Sequence, residues 1–176
     1  MIKNILVTGP PGCGKTTLIK EILKELKLDA GGFFTEEIRE RGIRKGFKII
    51  TLDGKEGILA HVDIKSPYRI SRYGVNIKDL EEIGVKSILK GIKENKIIII
   101  DEIGKAEMLS KKFRETALMA LNSQKKVLGT IKFTYDPFTD KIKKRSDTKI
   151  FYLTRENREK IKKEILWHFQ SLQKKE

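Results

Sequence analysis

Eight residues near the amino end, Gly9-Pro10-Pro11-Gly12-Cys13-Gly14-Lys15-Thr16, fit the spacing G-x-x-x-x-G-K-[ST] without a mismatch. Glycines let a backbone curl until successive N–H groups point into one concavity, and a helix start adds its own unpaired N–H groups and the positive end of its dipole. Such a nest suits a polyphosphate. Lys15 is a point charge on a flexible stem that reaches β- and γ-phosphate oxygens, while the Thr16 hydroxyl is suited to ligate a bridging Mg2+. Thr17 offers a further contact to the α-phosphate. The bland alternative is a glycine-rich turn opening an ordinary helix; the full spacing and its flanking elements argue against that.

A second chemically able pair, Asp101-Glu102, directly follows Ile97-Ile98-Ile99-Ile100. A carboxylate at the end of such a strand suits a Mg2+ ion, usually held through water. Glu102, one residue on, is placed to orient the water that attacks a γ-phosphate and to accept its proton. That favours hydrolysis over transfer to a second substrate. The structural alternatives are that Asp101 only caps a turn and that Glu102 is purely structural. Lys105 and Glu107 face either nucleotide or solvent, and Thr130 either senses the γ-phosphate or simply favours a strand. Charge on the leaving oxygens calls for an arginine. Arg39, Arg44, Arg69, Arg72, Arg145, Arg155 and Arg158 are the candidates, and spacing does not choose among them.

These residues need strand ends to hold them. Ile5-Leu6-Val7-Thr8 reads as a short strand before the loop, and Leu18, Ile19, Ile22, Leu23 and Leu26 recur at helical spacing after it. Segments around 33–38, 47–52 and 57–62, separated by turns at Gly42, Gly46 and Asp53-Gly54, read as antiparallel strands forming an insertion on one edge of the fold. Residues 63–76 read as loop or short strand. A helix is expected from Lys78 to about Asn95, weakened by Gly84 and Gly91. The isoleucine run suits a strand buried on both faces of a parallel sheet. Ser110 caps a helix carrying Phe113, Ala117, Leu118 and Leu121; Val127 to Ile131 is a strand; Asp136-Pro137 starts a helix reaching about Arg145. Ile150 to Leu153 is the last strand, and Thr154 is expected to cap a final helix with Ile161, Ile165, Leu166, Phe169 and Leu172 inward. Strands alternating with helices imply an α/β fold with a mostly parallel sheet, helices on both faces and ligands beyond the strands' carboxyl ends.

The length of 176 residues suits a single domain spanning 1–176. No apolar run reaches the roughly 18 residues a membrane span requires, and Met1 leads straight into the first strand, so a cytoplasmic protein is expected, without a membrane partner. Cys13 is the one cysteine, which agrees with a reducing compartment and fills a small-residue position of the loop. His61 and His168 are isolated from each other and from any cysteine pair, so neither reads as a metal ligand. The charge is +14, with 38 Lys plus Arg against 24 Asp plus Glu, and 35% of residues are charged. Nucleic acid is therefore an eligible partner. Ion-paired helix faces of the thermophile kind account for the same excess and are preferred; Lys24, Lys27, Lys111, Lys112, Lys162 and Lys163 fall where a solvated face would put them.

The chain resembles the small cancer-related or thermophilic nucleoside-triphosphatases, P-loop proteins of about this length. The likeness is carried by the loop, by Gly32-Phe33-Phe34-Thr35-Glu36-Glu37-Ile38-Arg39 with Gly42, Arg44, Gly46 and Phe47, and by Thr51-Leu52-Asp53-Gly54 and Tyr73-Gly74-Val75. It continues through Ile100-Asp101-Glu102-Ile103-Gly104-Lys105, Gly129-Thr130-Ile131 and Thr154-Arg155-Glu156-Asn157-Arg158. The resemblance implies a RecA-like sheet and Mg2+-dependent hydrolysis of ATP, GTP and other nucleoside triphosphates with little base preference. It also implies nucleotide contacts from Gly9 through Thr16 and from Ile98, Ile99, Ile100, Asp101, Glu102, Ile103, Gly104 and Lys105, and a monomer is expected. Ile131-Lys132-Phe133 departs from relatives that carry proline or histidine there. Two other readings stay open: a small nucleoside or metabolite kinase, and a nucleic-acid-associated switch.

Overall fold

Four consecutive isoleucines have no polar face to offer water, and the chain places them at the centre of its sheet. In the computed structural model, which describes residues 1–174 apart from the side chain of Leu172, Ile97–Ile103 is strand β7. The expected inward position of Leu172 thus lies outside the described residues. Side chains alternate along β7: Ile98 and Ile100 join one buried cluster and Ile97 and Ile99 the other. Each fully buried isoleucine contributes about 1.5–3 kcal/mol.

The elements run β1 (Asn4–Thr8), α1 (Lys15–Leu26), β2 (Ala30–Glu40), β3 (Ile43–Thr51), β4 (Glu56–His61), β5 (Arg69–Ile70) and β6 (Tyr73–Val75). Then come α2 (Ile77–Asp79), a π-helical stretch (Leu80–Val85), α3 (Lys86–Glu94), β7, a 3-10 turn (Glu107–Leu109) and α4 (Lys111–Asn122). The chain continues through β8 (Lys126–Ile131), α5 (Pro137–Lys143), β9 (Thr148–Tyr152) and α6 (Arg158–Gln173). One nine-stranded sheet results, ordered β5-β6-β4-β3-β2-β7-β8-β1-β9. The strands β7, β8, β1 and β9 are parallel to one another, so the loop after β1 and the acids of β7 emerge at the same edge. Helices α1 and α6 cover one face, against Ile5, Val7 and Ile99; α3, α4 and α5 cover the other, against Leu6, Ile98 and Ile100.

Two expectations are corrected. The antiparallel segment is not a mere insertion: Ala30 to Phe33 of β2 pair in parallel with Ile97 to Ile100, and the same strand runs on to form a hairpin with β3. The helix expected over Lys78 to Asn95 is interrupted by the π-helical stretch, whose wider turn brings Leu80 and Val85, five apart, onto the buried face. The expected Thr154 cap is present at the turn that leads into the last helix, Arg158–Gln173: its hydroxyl accepts from the Asn157 N–H at 3.2 Å while Asn157 Oδ1 accepts from the Thr154 N–H at 2.8 Å. Ser110 and Asp136 do cap α4 and α5, accepting from Phe113 and from Phe138 and Thr139.

Candidate active site

The loop closes on its own lysine. Gly14 has φ of 90°, a left-handed conformation that glycine adopts without a Cβ clash, and this turns the chain into α1. The first turn of α1 holds no acidic residue, so its positive dipole end stays available to an anion. Lys15 Nζ donates to the carbonyls of Gly9 at 2.9 Å and Pro10 at 3.2 Å, lying across the loop, with Cys13 Sγ 3.9 Å away. Gly9 is pressed against the turn after β9: a Cβ there would stand 2.8 Å from the Leu153 carbonyl oxygen and 2.8 Å from Cys13 Sγ. Pro10, Pro11, Gly12 and Thr17 form the accessible rim.

Asp101 joins the two halves of the site. Its Oδ2 accepts from Thr16 Oγ1 at 2.7 Å and its Oδ1 from Thr130 Oγ1 at 2.5 Å, and the backbone N–H of Thr35 donates to it as well. Asp101 is 2% exposed. Burial pushes its carboxyl above the usual carboxylate range, against the three hydrogen bonds and the nearby Lys15 charge, which pull it down. Glu102, half-buried beside it, is also raised, first by burial; Lys15 opposes and the Asp101 charge adds to the rise. A carboxylate with a raised pKa in reach of a phosphate cradle is a competent proton acceptor.

The donor set can be tested against Mg2+. The Thr16 hydroxyl and the Asp101 carboxylate are hard oxygens in mutual contact. Mg2+ takes one or two protein oxygens and fills its octahedron with water and phosphate oxygens. The residues fit that ion, and no group of three or more acidic, histidine or cysteine side chains able to form an all-protein cage occurs among the described residues.

The segment from Ile98 to Lys105 divides. Ile98, Ile99, Ile100 and Ile103 are fully buried core side chains, Gly104 is buried, and Lys105 is exposed. In this segment Asp101 and Glu102 are the side chains on which the Lys15 charge acts. Glu107 faces neither nucleotide nor solvent in the simple sense expected, being 4% exposed behind Glu102. Arg145 is bound to Asp147 at 2.8 Å, beside the amino end of β1 and away from the site. Arg158 grips Glu21 at 2.9 Å; Arg39 and Arg44 bind Glu37, and Arg69 and Arg72 bind backbone carbonyls of the hairpin region. Arg155 is exposed on the turn beside the loop and makes no side-chain hydrogen bond or ion pair among the described residues. The Thr35 N–H and the Thr130 hydroxyl were hidden from sequence spacing, because both reach Asp101 only through strand neighbours. His61 and His168 remain unconnected to the site: His61 accepts from the Asp63 N–H, and His168 lies edge-on to Phe169.

Residues 4–166 match the sequence profile of a family described as NTPase. The chain belongs to this nucleoside-triphosphatase family. It is 58% identical over 163 residues to the nucleoside-triphosphatase THEP1 of Thermotoga sp. (strain RQ2), spanning 93% of each chain. Among solved structures it is similar to the crystal structure of THEP1 from the hyperthermophile Aquifex aeolicus, with a TM-score of 0.84 and 37% identity over 92% of this chain and 96% of that one. It is likewise similar to the solution structure of a human cancer-related nucleoside triphosphatase, with a TM-score of 0.82 and 33% identity over 96% and 98%. The likeness to both neighbours fits a P-loop NTPase fold, and the sheet of this family member joins a parallel half, β2-β7-β8-β1-β9, to an antiparallel one. No helix among the described residues of this nucleoside-triphosphatase is long and apolar enough to cross a membrane.

Proposed function

We propose that this chain hydrolyses nucleoside triphosphates, ATP and GTP among them, to the diphosphate and phosphate in a Mg2+-dependent reaction. The observation that carries the reading is the 2.7 Å contact between Thr16 of the phosphate loop and Asp101, with Glu102 next to it. The loop amides from Gly9 to Thr16 and the Lys15 ammonium hold the triphosphate, and Thr16 and Asp101 would hold the metal ion. Bound Mg2+ supplies positive charge to the β- and γ-phosphate oxygens. Glu102 aligns a water and takes its proton as the water oxygen bonds to the γ-phosphorus and the bond to the β-bridging oxygen breaks.

Sheet order supports a direction for the nucleotide. The γ-phosphate faces Glu102 on β7, so the nucleoside end extends to the other side of β1, toward the turn after β9 that carries Arg155. Polar groups of that turn are largely spent on one another: Asn157 binds the Tyr152 carbonyl and the Thr154 N–H, and the Leu153 N–H binds the Thr8 carbonyl.

Phosphate release from ATP, GTP, CTP and UTP, with and without Mg2+ and with no acceptor added, tests the reading. Release from each that stops with chelation of Mg2+ supports it. Turnover only with a nucleoside or metabolite acceptor would transfer the chain to the kinases, and turnover only with polynucleotide would make nucleic acid an obligatory partner.

A further inference from the structure

Glu107 has no part in the reaction scheme, yet it is 4% exposed in the turn directly behind Glu102. Its carboxyl accepts from the backbone N–H groups of Gly104 and of Glu107 itself. Gly104 stands between the two acids: a Cβ there would lie 3.1 Å from Glu102 Oε2 and 3.1 Å from Glu107 Oε2. The two carboxyls thus meet across the space that a side chain at 104 would take.

Burial and the charges around Glu107 disfavour its ionised form. From β7 it faces Glu102 and Asp101, whose charges both act on it, and burial is the largest influence; all three push its carboxyl well above the usual carboxylate range. Lys15 of α1 acts on Asp101 and Glu102 instead. On the adjoining turn Lys105 is exposed, and Arg114 of α4 is tied to the Met108 carbonyl, so no ion pair reaches Glu107 among the described residues.

We propose that Glu107 positions Glu102: its side chain fills the gap beside Gly104, braces the turn through two backbone amides, and keeps the Glu102 carboxylate turned toward the attacking water. This rests on the reading of Glu102 as the residue that aligns water. Glu107 gives Glu102 a buried wall held by its own turn, so shape and hydrogen bonding at 107 carry the effect.

Turnover of ATP with Mg2+ and binding of a non-hydrolysable ATP analogue, measured on E107A, E107Q, G104A, E102Q and the double variant E102Q/E107A, test the inference. E107A lowers kcat roughly 10–100-fold, the size of effect an ångström-scale displacement of a reacting group produces, while analogue affinity holds. E107Q, neutral and of the same shape, restores most of that loss. G104A keeps both carboxyls but intrudes between them, and it too lowers kcat. The double variant is no slower than E102Q alone. Wild-type turnover in E107A, equal losses in E107Q and E107A, or losses that add in the double variant overturn the inference. If E107A does not fold, G104A decides, and wild-type turnover there overturns it. An E102Q as fast as wild type defeats the reading of Glu102 itself; a slow E102Q beside fast E107A and G104A defeats only the role given to Glu107.

Discussion

Thr16 and Asp101, 85 positions apart in sequence, share a hydrogen bond of 2.7 Å. The contact is possible because β1 and β7, separated in the sheet only by β8, end at the same edge. Through its other oxygen Asp101 is held by Thr130 of the intervening β8, so one carboxylate ties three elements together.

Thr130→Val tests that arrangement. It keeps the branched shape and removes the hydroxyl from a wholly buried position, leaving Asp101 Oδ1 short of a donor. Loss of a hydrogen bond to a buried polar group costs about 1–3 kcal/mol. Thermal and denaturant unfolding should register a loss of that order, and a Mg2+ titration of turnover should need more ion for half-maximal rate. Unchanged stability and Mg2+ requirement would mean that the Thr130 contact does not orient Asp101.

Glu107→Gln should alter how stability varies with pH. The folded-state pKa of Glu107 is raised above 4.5, so above 4.5 the folded protein keeps a proton that the unfolded chain has lost. Wild-type stability therefore falls as pH rises from there toward the folded pKa, and a glutamine, which has no proton to lose, removes that part of the fall. Unfolding free energies of the two proteins across pH, with Mg2+ chelated, should diverge in favour of E107Q as pH increases. Parallel curves would show that Glu107 is charged in the folded state.

Arg155→Ala separates the two ends of the nucleotide. If the exposed guanidinium lies beside the base and ribose, its removal should weaken ATP binding roughly 2–5-fold, the scale of a stacked cation lost from an exposed site. Inorganic tripolyphosphate, which lacks a nucleoside, should bind equally to both proteins. Lys15→Ala should weaken both ligands. Equal effects of R155A on ATP and on tripolyphosphate would place Arg155 at the phosphates instead.

The phosphate loop and the Asp101-Glu102 pair were legible because each is a contiguous run whose residue types do one job. The two-faced burial of β7 was legible for the same reason, since four isoleucines admit no exposed face. The partners of Asp101 were not, because the Thr35 N–H and Thr130 hydroxyl arrive from neighbouring strands whose register no single segment encodes. Glu107 was left between nucleotide and solvent because a buried acid is decided by the turn above it and by the missing side chain of Gly104. The π-helical stretch escaped for a related reason: Leu80 and Val85 share a face only when the helix widens, and Gly84 signalled weakness there without its form. Lys162 was expected on a solvated face; it lies between Glu21 at 3.4 Å and Glu25 at 2.5 Å, pairing α6 with α1.

The central claim is that the loop grips the triphosphate and Glu102 turns water upon it, two jobs that one substitution can separate. Phosphate release and equilibrium triphosphate binding should be measured side by side on Glu102→Gln with Mg2+ present. Binding should persist while release falls by about 10²–10⁴-fold, the range lost with a positioned general base. Release at the wild-type rate, with the protein folded and binding intact, would contradict the account.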